Sequence, residues 1–189
     1  MIIHMEIKIS TKQILKVLQI LSWIIFFGLS VEAGGIVVNT ILIFVRKPSV
    51  ALNFWDETVY LTSLYQFDHG HFFAIALIMT IVSVLKATLF YIILKLFSEK
   101  KLDISRPFSM DLKNFIINLS SLSFGIGLFS YWGMKYTTWL TNHGAESADL
   151  QAIHISGADV WIFMAIILFV IGQIMKRGIE MQNENELTI

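Results

Sequence analysis

Four long apolar runs organise the chain and predict four membrane-spanning helices. They cover residues 17–45, 72–97, 112–132 and 155–175. A helix needs about 20 predominantly apolar residues to cross the hydrocarbon of a bilayer, and each run is of that length or longer. We therefore predict an all-α membrane protein, a four-transmembrane-helix bundle that forms a single domain from residue 1 to 189.

Shorter polar or mixed segments connect the predicted spans. Residues 46–71 and 133–154 form two segments on one side, and residues 98–111 form a loop on the other, where a tail at 176–189 also lies. The 46–71 segment is aromatic and partly alternating, so it is compatible with a segment lying on the membrane, and its secondary structure stays open. Ser109 is the expected N-cap of the third span, with Asp111 in the first turn.

The first apolar run has a second interpretation as a signal peptide. Lys8, Lys12 and Lys16 precede it, as in a basic signal-peptide start. A secretory apolar region is only about 7–15 residues long, however, and this run continues well beyond that length. We therefore interpret the run as an uncleaved span.

The distribution of basic residues predicts the orientation of the spans. Lysine and arginine are concentrated before the first span, around the 98–111 loop and at the start of the tail, whereas the opposite side has only Arg46, Lys47 and Lys135. Loops rich in lysine and arginine stay in the cytoplasm. Both termini are therefore expected in the cytoplasm, and the 46–71 and 133–154 segments outside it.

Composition agrees with a membrane protein and excludes several other classes. The chain is 56% hydrophobic and only 15% charged, and its 14 basic residues balance 14 acidic ones. Direct binding of nucleic acid is therefore not expected. There is no cysteine, which excludes disulfides, thiolate catalysis and thiolate metal sites.

Two opposite charges, Glu32 and Lys86, interrupt the first and second spans. Charges at bilayer depth are costly, so they usually face protein or water and mark a functional position. At 1.5 Å per residue, their Cα atoms differ in depth by roughly 10 Å, which makes a direct salt bridge possible without indicating one. Snorkelling of Lys86 toward water is the alternative.

Small residues recur at helical spacing in two spans and predict close helix packing. In the first span they place Glu32 on a stripe with Gly28, Gly35 and Asn39, which we expect to face another helix. In the third span the stripe consists of Ser120, Ser123, Gly127 and Ser130.

Histidines and acids collect on the side opposite the loop and tail. The candidates are Asp68, His69, His71, His143 and His154. Imidazole and carboxylate could hold a metal ion, and two histidines could ligate haem. The spacing matches no zinc motif, a polar membrane surface is the simpler interpretation, and pH sensing is a third. We therefore predict no cofactor, with a metal ion or haem as the alternative.

No catalytic motif is present. The sequence contains no nucleophile elbow, HExxH motif, phosphate-binding loop or dinucleotide fingerprint. A non-enzymatic protein is therefore expected.

Two sequence features carry a family resemblance. They are Pro107-Phe108-Ser109 before the third span, and Lys176-Arg177-Gly178 followed by the tail from Glu184 to Ile189. In these features the chain resembles a family of uncharacterised bacterial four-helix integral membrane proteins, a domain of unknown function. The resemblance implies a cell-membrane location and a regulatory role, because genes of that family often neighbour a small Cro/CI-type helix-turn-helix regulator.

Two functional hypotheses follow. The first is a non-enzymatic sensor or regulatory membrane component that contacts a cytoplasmic partner through Glu184, Glu186, Leu187 and Ile189, and the resemblance implies that this partner is such a regulator. The second is a small transporter, or a metal- or haem-handling membrane protein, that uses the histidines together with Glu32 and Lys86.

Overall fold

All regular secondary structure in the described part of the chain is helical. A computed structural model describes residues 11–46, 57–98 and 108–186. Within them lie α1 (Thr11–Arg46), α2 (Glu57–Phe67), α3 (His69–Ser98), α4 (Met110–Asn142) and α5 (Ala158–Glu186), with no strand. Four helices, α1, α3, α4 and α5, are long and apolar enough to cross a membrane, which confirms the prediction of four such helices.

The four long helices pack as a series, α1 on α3, α3 on α4 and α4 on α5. No extensive contact joins α1 to α4 or α5 within the described residues. The short helix α2 packs against α3 and α1. The α2 end of the molecule is the end that contains α2, the start of α3 and the end of α4. The tail end is the opposite one, where α3 ends, α4 begins and α5 ends.

The most deeply buried apolar side chains lie toward the α2 end. They come from every helix but α5, and from the segment between α4 and α5, and include Ile43, Leu64, Phe72, Ile75, Leu140 and Ile153. Many apolar side chains on α1 and α5 are exposed instead, as expected for surfaces that face lipid.

Small residues allow α4 and α5 to approach closely. A methyl group added at Gly127 would lie 2.6 Å from Ile162 Cγ1 and 3.1 Å from the Ala158 carbonyl oxygen. Ser120 donates a hydrogen bond of 2.8 Å to the Ala165 carbonyl of α5. Ser120, Ser123, Gly127 and Ser130 are all buried, so the predicted stripe of the third span is confirmed.

The predicted stripe of the first span is confirmed only in part. Asn39 is fully buried and Glu32 is partly buried, but nothing lies within 4 Å of a methyl group added at Gly28. Gly28 was therefore wrongly assigned to a packing face. The reason is that α1 has a single long-helix neighbour, α3, and most of its surface stays open.

Several helix boundaries differ from the spans inferred from hydropathy, among them the two that flank the 143–157 segment. The third apolar run ends at Trp132, whereas α4 continues to Asn142, and α5 begins at Ala158 rather than near Ile155. The extension of α4 buries Thr137 and Leu140, three residues apart on one face. Hydropathy follows only the apolar part of a helix, so it misses a polar extension that is stabilised by packing. The predicted cap is present, because Ser109 Oγ accepts a hydrogen bond of 3.2 Å from the Leu112 N–H.

Candidate functional site

The segment at residues 143–157 turns back along α4 instead of standing away from the helices. At the end of α4 the Ala145 N–H bonds the Leu140 carbonyl at 3.1 Å, and the Gly144 N–H bonds the Thr141 carbonyl at 3.2 Å. Gly144 has a φ of 96°. This bonding pattern is a Schellman cap, in which the residue in the left-handed conformation reverses the chain.

The 143–157 segment then descends toward the middle of α4. A methyl group added at Gly133 would lie 2.8 Å from Ile155 Cδ1, and Ala158 at the start of α5 lies beside Gly127. At 1.5 Å per residue, α5 therefore begins about 22 Å back along α4 from Asn142. The segment brings its last residues to the level of Lys86 on α3.

A second cap of the same type occurs at His154. The Ile155 N–H bonds the Leu150 carbonyl at 3.1 Å, and the His154 N–H bonds the Gln151 carbonyl at 3.0 Å. His154 has a φ of 61° and is the one non-glycine residue with a positive φ in the described part of the chain. This conformation costs an ordinary side chain roughly 1–2 kcal/mol, so the surrounding structure must hold it.

Lys86 supplies part of that support. Its Nζ donates a hydrogen bond of 2.8 Å to the His154 carbonyl oxygen. The carbonyl dipole thus stabilises the ammonium group that the sequence left unexplained. A hydrogen bond from a charged group contributes about 1.5–3 kcal/mol.

Glu32 contacts the same residue through its side chain. Glu32 Oε1 lies 3.2 Å from His154 Nδ1, within ion-pair distance, although this oxygen has no aligned hydrogen bond. The Glu32 and His154 side chains are 21% and 29% exposed, although the Glu32 oxygen that faces the ring is itself buried. Glu32 and Lys86 form no direct ion pair. His154 joins them, with its ring toward Glu32 and its carbonyl toward Lys86.

This Glu32–His154–Lys86 link connects α1, the 143–157 segment and α3. Glutamate and lysine supply one negative and one positive charge, and histidine is the side chain whose ordinary titration falls between pH 5 and 8. Protonation of the ring would replace a dipole beside Glu32 with a full positive charge. The strength of the contact between the segment and α1 therefore depends on the charge of the histidine ring.

The other three histidines of the predicted set lie apart from this link. His71 Nδ1 is 2.7 Å from the Tyr136 hydroxyl, and the His71 ring packs on Trp139 with 5.6 Å between centroids. His143 Nδ1 lies 2.8 Å from the Trp139 carbonyl. His69 stacks on Tyr65 at 4.2 Å between ring centroids.

Asp68 has a structural contact as well. Its Oδ1 accepts a hydrogen bond of 2.9 Å from the His71 N–H, and this bond lowers the pKa of the Asp68 carboxyl. Asp68 thereby caps the first turn of α3. No group of three histidine, aspartate or glutamate residues in the described ranges could hold one metal ion.

Sequence reasoning missed Tyr60, which lies on α2. It is 7% exposed, and its hydroxyl has no hydrogen-bond partner among the described residues. Burial raises the pKa of Tyr60 to about 12, with smaller contributions from Glu146 and Tyr136. The only signal in the sequence is its position next to Leu61 and four residues before Leu64, whose side chains are also buried.

The tail candidates are described in part. Glu184 is exposed near the end of α5, and Glu186 is the last residue of the helix. Leu187 and Ile189 lie outside the described residues.

The four long apolar helices indicate the class of protein, a helical membrane protein with four helices that are each long and apolar enough to cross a bilayer. No protein-family model, curated protein or solved structure matches this chain.

Proposed function

We propose that this protein is a non-enzymatic sensor or regulatory component of a bacterial cytoplasmic membrane. The observation that carries the proposal is the Glu32–His154–Lys86 link. It ties the 143–157 segment to two of the long apolar helices through the carbonyl and the ring of one histidine.

The proposed signal is a change in how firmly the 143–157 segment is held. The backbone of His154 is already in a left-handed conformation, so its position depends on its partners. Gain or loss of ring charge beside Glu32 alters that balance. The segment leads directly into α5, which runs from Ala158 to the tail end. A shift at His154 therefore has a continuous helical path to the opposite end of the molecule.

The proposed orientation follows the distribution of basic residues. Lys95, Lys113, Lys176 and Arg177 lie at the tail end. Under the positive-inside tendency, the tail end and both termini lie in the cytoplasm, and the 143–157 segment is reached from the other side.

A spin label at the tail tests the proposed signal. Because the chain contains no cysteine, Asn183→Cys would carry the only label. We expect the mobility of this label in lipid nanodiscs to change between pH 7.5 and 5.5, and the change to disappear in His154→Gln.

His143→Gln is the matched control for this experiment. His143 is an exposed histidine of the same segment. Within the described residues its ring contacts Trp139 near the end of α4 and not Glu32 or Lys86. This variant should keep the wild-type response. A pH response that survives His154→Gln, or no response in the wild type, would sink the proposed signal.

The proposed cytoplasmic partner is a small Cro/CI-type helix-turn-helix regulator that contacts the tail. Deletion of residues 184–189 should abolish its capture by the full chain while membrane insertion is unchanged. Replacement of the same six positions with glycine and serine controls for tail length. Equal capture by the wild type and both variants would contradict the role of Glu184, Glu186, Leu187 and Ile189.

A further inference from the structure

A groove between α3 and α4 lies at the tail end, far from the Glu32–His154–Lys86 link. Its volume is about 330 Å³, within the roughly 300–1,000 Å³ of small-molecule sites. Tyr91 and Lys95 line it from α3, and Asp111, Asn114, Phe115 and Asn118 line it from α4. The α4 positions follow one helix face, so the groove runs along the helix.

The polar atoms of the groove extend into the apolar part of the molecule. Asn114 and Asn118 are exposed rather than packed against protein. The residue before Asn118, Ile117, packs against Gly172 of α5. Gly172 belongs to the apolar run at 160–175 and lies four residues before Lys176, so Asn118 lies within the apolar zone near its tail-end edge.

An exposed amide at this depth needs a polar partner. Transfer of an amide to an apolar environment without a hydrogen bond costs roughly 2–7 kcal/mol. Lipid tails have no polar atoms, so water or a polar ligand in the groove has to supply this partner. The ligand must also reach from the charged mouth, at Lys95 and Asp111, to the amides within.

We infer that this groove binds the headgroup of a zwitterionic phospholipid with a primary ammonium group. The phosphate pairs with Lys95, the ammonium donates to the Asp111 carboxylate, and the glycerol ester oxygens accept from Asn114 and Asn118. The acyl chains then lie along Phe115. A purely anionic headgroup would place its charge beside Asp111, and a trimethylated headgroup would have no N–H to donate.

Native mass spectrometry of the purified full chain in detergent tests this inference. The probes are dioleoyl phosphatidylethanolamine, phosphatidylglycerol and phosphatidylcholine, which share their acyl chains. We expect phosphatidylethanolamine to bind at least about tenfold more tightly than the other two, a difference of about 1.4 kcal/mol. Similar affinities for all three lipids would overturn the inference.

Two variants locate the site. Asn118→Leu should weaken phosphatidylethanolamine binding, whereas Gln173→Leu, which removes an exposed amide from α5, should leave it unchanged. Asp111→Asn should reduce the preference for phosphatidylethanolamine over phosphatidylcholine. This variant should keep the fold, so it tests the site even if Asn118→Leu fails to fold. Equal effects of Asn118→Leu and Gln173→Leu, or an unchanged preference in Asp111→Asn, would contradict the groove as the site.

Discussion

The turns at Gly144 and His154 have the same hydrogen-bond pattern but different residues at the left-handed position. At residues 140–145 that position is glycine, with a φ of 96° and open space around it. At residues 150–155 it is histidine, with a φ of 61°. Glycine adopts this conformation freely, whereas a side chain must be held in it.

The difference separates a turn that only reverses the chain from a turn that also places a functional group. Gly144 needs no contact beyond its backbone. His154 has its carbonyl on Lys86 and its ring beside Glu32. The backbone conformation is what aims these two groups at α3 and α1. A strained residue with two charged neighbours is the expected signature of a site rather than of a connection.

Substitution of Lys86 should have the largest effect, because it should loosen the turn at His154 and leave the turn at Gly144 unchanged. Lys86→Met removes the donor to the His154 carbonyl, a loss of about 1.5–3 kcal/mol for the local structure. Amide hydrogen exchange in residues 150–157 should accelerate about 10- to 100-fold, while exchange around Gly144 stays unchanged.

Lys95→Met is the control for this prediction. It removes a lysine from the same helix at the tail end and should leave exchange in the 143–157 segment at the wild-type rate. Equal exchange rates in Lys86→Met and the wild type would show that the hydrogen bond does not hold the segment.

Substitutions at the two left-handed positions, Gly144 and His154, test the contribution of backbone conformation to stability. Gly144→Ala should destabilise its turn by roughly 1–2 kcal/mol, because the new methyl group meets nothing and only the left-handed backbone is penalised. His154→Gly should gain a similar amount from the backbone and lose the contact with Glu32. Thermal unfolding should therefore show a lower midpoint for Gly144→Ala and a much smaller change for His154→Gly. Equal decreases in the unfolding midpoints of the two variants would mean that glycine relieves no backbone strain at His154.

Tyr60 extends the comparison to α2, where a buried hydroxyl has no hydrogen-bond partner within residues 11–46, 57–98 and 108–186. Tyr60→Phe removes the unsatisfied hydroxyl and should stabilise the protein by up to about 1 kcal/mol. Because burial raises the pKa of Tyr60 from 10.0 to about 12, the folded state holds this proton longer than the unfolded state does. The wild type should lose stability between about pH 10 and pH 12 relative to Tyr60→Phe. Parallel pH–stability curves for the two proteins would contradict this assignment.

The sequence predicted the helices and one cap of the fold but not the connection between the two intramembrane charges. Apolar length identifies the four long helices, and Ser109 is recognised as a cap from local chemistry alone. Glu32 and Lys86 could be singled out as candidates, because a charge in an apolar run is visible in the sequence.

Their meeting at His154 could not be predicted in the same way. It depends on the path of the 143–157 segment back along α4 and on a left-handed histidine, and neither leaves a hydropathy signal. The estimated difference in depth between Glu32 and Lys86 assumed two straight helices and included no third residue between the charges. Gly28 is the opposite case, a sequence signal without a matching contact. Its spacing predicted a packing face, but nothing lies within 4 Å of a methyl group added there.

The hydrogen bond between Lys86 and His154 can be measured directly in lipid bilayers by solid-state NMR. Lysine would be labelled with ¹⁵N at Nζ and histidine with ¹³C at the carbonyl carbon, and dipolar recoupling would report the distance between them. An N···O distance of 2.8 Å requires a short nitrogen–carbon distance, so the wild type should show strong dephasing that disappears in Lys86→Met. Identical dephasing in the two proteins would contradict the link on which the proposed function rests.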